Sequence, residues 1–205
     1  MLAQLLQKLQ VRTPTPAQPA GTNRRRRRRR NRANVSQPAA AVDNSGTVRV
    51  KRVEFLAAVK NPSDDTTVNS YFDMTGKNLT WLSKLVSAFD KIVWHSCVLE
   101  YRPYASAMTN GTVAIGTDWD SRQIPNRTRV LGCTPSVETQ VSKAVRLSCP
   151  SAQLMSRKHY DLSSADGNFD GQPFRLLVSA DSNVKGLYYG DIFVHYDVSL
   201  LGTSG

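Results

Sequence analysis

Seven consecutive arginines, Arg24, Arg25, Arg26, Arg27, Arg28, Arg29 and Arg30, with Arg32 one residue further on, are the strongest chemical feature of this 205-residue chain. Guanidinium groups stay charged and donate paired hydrogen bonds that fit a phosphate. No folded core buries eight of them in nine positions, so the stretch is either solvated or meets a polyanion. A run of one residue type carries no base-edge pattern, so binding to nucleic acid would be electrostatic and weakly selective for sequence. Eight or nine such cations on single-stranded RNA predict a salt slope of about −6 in log K. The same run also fits a nuclear-localisation peptide, and the two roles can coexist.

Asp118 and Asp120 form a second candidate. They lie two apart at the end of an expected strand, where extended backbone puts both carboxylates on one face. Hard cations such as Ca²⁺ take roughly six to eight oxygens, more than two aspartates supply, so a neighbouring copy would have to complete the set. The pair also reads as an ordinary acidic loop, and Asp64 and Asp65 read as turn residues. His95, His159 and His195 are scattered. No HExxH, GxSxG or glycine-rich phosphate loop occurs, and the chain is not read as an enzyme. Trp81, Trp94, Trp119, Tyr188, Tyr189, Phe193 and Tyr196 read as core or subunit-contact residues rather than base-stacking platforms. Arg49, Lys51 and Arg52 flank the first expected strand, as an inner wall or as a solvated face.

Charge divides the chain at about residue 47. Residues 1–47 hold ten basic residues and one acidic, a net +9, whereas residues 48–205 hold 17 basic and 15 acidic, a net +2. The sequence pI near 9.9 therefore belongs to the first segment. A basic tail on a near-neutral body points to RNA, DNA or an anionic membrane surface. Three widely spaced cysteines, Cys97, Cys133 and Cys149, with no CxxC, argue against a disulfide framework or zinc site and for a reducing compartment. The start, MLAQLLQKLQ, has no uninterrupted apolar stretch and is not read as a signal peptide. No apolar run approaches the roughly 18–20 residues of a membrane span. The sequons at Asn78, Asn110 and Asn126 are accordingly not expected to be glycosylated.

The elements follow from periodicity. Leu2, Leu5, Leu6 and Leu9 share one helical face, though an isolated helix so short is marginal in water. Three prolines in residues 13–23 give an extended linker, and 1–47 as a whole reads as a disordered basic arm. In the body, Val48 and Val50 alternate with Arg49 and Lys51. The alternation resumes out of phase at Val53, Phe55, Ala57 and Val59, which predicts a β-bulge after Arg52. Residues 66–74 read as a strand, and 79–89 as an amphipathic helix of about ten residues with Asn78 as N-cap. Further strands are expected over 92–104, 112–117, 144–149, 151–160, 174–180 and 191–201, with 121–143 ambiguous. In the last strand Ile192, Val194, Tyr196, Val198 and Leu200 share a face. Eight strands with turn signals and no long helix predict an all-β sandwich or barrel over 48–205.

An arginine-rich arm ahead of eight strands, with a helix between the second and third, resembles the coat proteins of small icosahedral positive-strand RNA viruses, chiefly of plants. Sobemovirus-like, tombusvirus-like and luteovirus-like shells share this layout. The local matches are Trp94 to Tyr104 (WHSCVLEYRPY), Asn110 to Ile115 (NGTVAI) leading to Asp118 and Asp120, Phe174 to Val178 (FRLLV) and the closing strand Ile192 to Leu200. The resemblance implies an eight-stranded jelly roll with one or two short helices. It also implies self-assembly with other copies into a capsid, commonly T=3, with single-stranded genomic RNA held by the arm. It places the protein in the virion, and in the host cytoplasm during assembly, with nuclear or nucleolar entry open to the arginine run. Calcium between subunits is implied at Asp118. The family's second carboxylate follows three residues after the first, so Asp120 departs from the pattern. The runner-up is a monomeric cellular β-barrel nucleic-acid-binding protein with a basic tail, which calls for basic residues and exposed aromatics on the barrel itself.

Overall fold

Period-two alternation builds the sheet that anchors the computed structural model, which describes residues 39–42, 46–62, 64–120, 124–164 and 168–203. Strand β10 (Tyr188–Thr203) turns Ile192, Val194, Tyr196, Val198 and Leu200 inward, each at most 2% exposed. Strand β4 (Phe89–Pro103) pairs along one side of β10, and β2 (Val48–Lys60) along the other. β7 (Val145–Ser148) extends the sheet beyond β4, and β1 (Ala39–Val42) extends it beyond β2. The two-residue β8 (Tyr160–Asp161) pairs with the far end of β4. A second sheet has the order β3 (Thr67–Asp73), β9 (Arg175–Ser182), β5 (Gly111–Asp118), β6 (Ser136–Gln140), and every pairing in both sheets is antiparallel.

Sequential strands cross between the sheets: β2 to β3, β4 to β5, β6 to β7 and β9 to β10. The eight long strands thus make a jelly-roll sandwich, as expected, with β1 and β8 added. The inner faces enclose a core of Trp94, Tyr101, Ile115, Phe174, Val178 and Tyr196, among others. Among the described residues, three short helices flank the strands: α1 (Leu82–Val86), preceded by a 3-10 turn at Gly76–Asn78, α2 (Arg127–Gly132) and α3 (Ser151–Leu154), with Leu82, Val86 and Leu154 joining the core.

The structure moves several expected elements. The bulge in β2 sits at Leu56, four residues later than the pattern suggests, because Phe193 faces Phe55 while Ile192 faces Ala57. Val50, Glu54 and Val59 are therefore buried, and Phe55 turns outward with 46% of its surface exposed. Glu54 tolerates the inward position because it is fully used. Its carboxylate accepts the backbone N–H groups of Trp81 (2.6 Å) and Leu82 (3.2 Å) and the Tyr196 hydroxyl. A buried charge persists only with such partners.

The same bonds correct the helix. α1 has five residues rather than about ten, and its N-terminal donors are capped by Glu54 from another strand. Asn78 instead donates through Nδ2 to the Asp73 carbonyl, 2.8 Å. Residues 151–159 form α3 and a loop rather than a strand, with Tyr160 entering the two-residue β8, and the eighth long strand is β6, from the ambiguous stretch. Residues 39–42, counted with the arm from composition, pair with β2 from Ala39 opposite Lys51 to Val42 opposite Val48.

Candidate functional site

The arginines at 24 to 30 and 32 lie outside the described residues. The site readings that fall within them are the aspartate pair and the charged sheet faces.

β5 is carried to Asp118 by β9, opposite Arg175, while its pairing with β6 stops at Gly116, and it ends there. Asp118 is 8% exposed, whereas Asp120, past the strand, is exposed. The expected sharing of one strand face therefore fails, since extended backbone stops before Asp120. The Asp118 Oδ1 instead accepts the Asp120 N–H at 3.3 Å, folding the carboxylate over the strand end. Both residues nevertheless line one open cleft of about 980 Å³, with Trp119, Asn126, Arg127 and Cys133. Trp119 is fixed there by its Nε1 donating to the Thr134 carbonyl, 2.9 Å.

The opposite wall is α2. Asn126 caps it by accepting the Arg129 N–H at 2.9 Å. Gly116 lets the helix approach β5, since a Cβ there would lie 2.5 Å from the Val130 carbonyl oxygen. Burial, then the charge of Asp118, raises the Cys133 thiol pKa. Arg127 is committed elsewhere, to Glu138 (2.5 Å) and to the Thr112 hydroxyl (3.1 Å). Among the described residues, no three His, Cys, Asp or Glu side chains come together to hold a metal ion. The cleft thus offers two carboxylates from one chain, which fits part of a hard-cation ligand set and not the whole of one.

A second charged centre was missed from sequence. Glu100 on β4 accepts Nε and Nη2 of Arg146 (3.0 and 2.7 Å), Nε and Nη2 of Arg102 (3.1 and 2.7 Å), and bonds His195 Nε2 at 2.7 Å. Burial opposes its charge, but these three partners outweigh burial and hold the carboxyl at about 2. Nearby, Arg49 forks onto Asp197 at 2.8 and 2.9 Å, and His95 bonds Ser199 at 2.7 Å. All these residues stand on the outer face of the six-stranded sheet. Spacing hides most of them: Arg102 is two residues from Glu100, but the other partners sit 46 to 148 residues apart in the chain. Only the cross-strand register brings them together.

With the geometry in place, comparison with known proteins is informative. A family described as viral coat protein (S domain) matches residues 22–204. Among solved structures, tobacco necrosis virus superposes with a TM-score of 0.71 at 14% identity, covering 83% of this chain and 89% of that one. Cocksfoot mottle virus gives 0.64 at 19% identity, over 95% and 98%. Cucumber necrosis virus gives 0.67 at 22% identity, over 78% of this chain and 57% of that one, so the chain spans little more than half of that protein. No curated protein sequence matches.

Proposed function

Since the chain belongs to the viral coat protein (S domain) family, we propose that it assembles with other copies into an icosahedral T=3 shell and packages single-stranded RNA through Arg24 to Arg30 and Arg32. One juxtaposition carries this reading: a jelly-roll body of net +2 follows a segment of net +9. The body tiles, and the arm neutralises phosphate. A single arm binds with weak selectivity, but many arms on one inner surface act multivalently. The protein then resides in the virion, with host cytoplasm as the place of assembly and the arginine run open to nuclear import.

Electron microscopy of the purified protein with RNA tests the assembly. Uniform closed shells support it, and a monodisperse monomer at all concentrations and salt conditions sinks it.

Calcium belongs to the same proposal. Asp118 and Asp120 supply part of a Ca²⁺ ligand set at the cleft, completed by oxygens of a neighbouring copy. Bound there, the ion would hold two subunits together through charge. Chelation at raised pH then swells the particle, and unchanged sedimentation after chelation contradicts the assignment.

A further inference from the structure

The outer face of the six-stranded sheet carries groups that neither the core nor the aspartate cleft uses. Phe55, 46% exposed, meets Phe193 edge-on with centroids 5.9 Å apart at 77°. Arg102 lies over the Phe193 ring, its Cζ 3.9 Å from the centroid. Beside them, two arginines and a histidine converge on the single carboxylate of Glu100, leaving a surplus of positive charge. Arg102, Arg146 and Arg49 each engage a carboxylate through Nε and Nη2 while staying 46%, 63% and 58% exposed. The carboxylate fixes each guanidinium, and the unused N–H groups are left for a second acceptor.

The face is also where the body's charge collects. It carries six basic side chains (Arg49, Lys51, Lys60, Lys91, Arg102, Arg146) against Glu100, Asp161, Asp191 and Asp197, a surplus of two. The remainder of residues 48–205 carries eleven basic and eleven acidic residues. The near-neutral total therefore hides a segregated basic face. Its edge strand, β1, begins seven residues after Arg32, at most roughly 25 Å of extended chain.

Basic groups interleaved with open aromatic rings fit single-stranded nucleic acid, because every base has a π-face to stack. We infer that this face is a binding site for single-stranded RNA, in which a base stacks on Phe55 while Arg102 and Arg146 hold phosphates beside it and Arg49, six residues away along β2, holds one further along the strand. The inference rests on the packaging proposal and deepens it. From sequence, Phe193 was expected in the core or at a subunit contact; its place beside Phe55 and Arg102 follows from the bulge at Leu56.

Full-length protein titrated with an oligouridylate and a matched abasic oligonucleotide, over a salt series, tests this. Phe55→Ala lowers affinity for the base-bearing strand by about 5- to 150-fold, the factor one stacked base contributes, and leaves abasic affinity and the salt slope unchanged. Phe55→Trp keeps a ring and retains the affinity, which separates stacking from loss of fold. The triple variant Lys51→Glu, Lys60→Glu, Lys91→Glu flattens the slope by about 2, since each phosphate contact contributes roughly 0.7. The same charge change at Lys143, Lys158 and Lys185, away from this face, does not. The inference is overturned if Phe55→Ala leaves both affinities unchanged or weakens both alike, or if the two triple variants flatten the slope equally. A wild-type slope near zero removes the packaging proposal itself, so the two failures are distinguishable.

Discussion

The two sheets share one core but differ on their outer faces. In the four-stranded sheet, β5 is buried from Val113 to Asp118 and β9 from Arg175 to Ala180, on both sides. Helix α2 covers the outer side, where Ala114, Val130 and Leu177 form a cluster of their own. In the six-stranded sheet the outer side presents arginines, lysines, histidines and Phe55. A sheet covered on both faces loses its alternation, whereas one facing water keeps it. The cover is confined to the central strands β5 and β9, since the edge strands β3 and β6 keep alternating exposure; those central strands supply rigidity, and the six-stranded sheet keeps an open polar face.

The largest effect that tests this contrast is in the core of the covered side. Leu177→Ala should cost about 2–5 kcal/mol in chemical denaturation, because it opens a cavity between β9 and α2. Phe55→Ala, on the bare face, should cost about 1 kcal/mol or less, since only part of an exposed aromatic pair is lost. Equal costs would erase the distinction between the sheets.

Glu54 sharpens the comparison from the inner side of the bare sheet. Glu54→Ala should destabilise by about 2–3 kcal/mol, as it removes the cap of α1 and strands the Tyr196 hydroxyl. Glu54→Gln, which retains an acceptor, should cost less. An Ala variant as stable as wild type would show that α1 is held without this carboxylate.

Glu100 gives a smaller effect with a defined pH window. Its folded carboxyl sits at about 2, below the ordinary 4.5. A depressed carboxyl contributes stability that is present above pH 4.5 and lost as pH falls towards 2. The stability gap between wild type and Glu100→Gln should therefore be constant above about pH 4.5 and close below it. A gap that widens on acidification would contradict the ion-pair cluster.

Much of this was legible before the structure. The face of β10 could be read from Ile192 to Leu200 because one side meets the core and the other water. The arginine run and the near-neutral body could be read from charge alone. What escaped has a common cause, contact across the sheet. The alternation of Val53, Phe55, Ala57 and Val59 predicts a bulge after Arg52 and leaves Glu54 on the other face; what holds it inward instead, Trp81, Leu82 and Tyr196, lies 27 to 142 residues away. Residues 151–160 read as a strand, but only Tyr160 finds a paired neighbour, Ile92, and Ser151–Leu154 folds locally as α3. Asp120 was aligned with Asp118 by strand geometry that ends at Asp118, two residues short of Asp120. In the Glu100 cluster only the i, i+2 pair with Arg102 is visible in sequence, since Arg146 and His195 are brought in by register between β4, β7 and β10.

The division of labour between arm and body is tested most directly by deleting Arg24 to Arg30 and measuring, on the same protein, its thermal melt and the RNA content of the particles it forms. The melt should be unchanged, and the particles should be empty of RNA or altered in size. A variant that fails to fold, or one that packages RNA at the wild-type level in particles of wild-type size, would contradict the account.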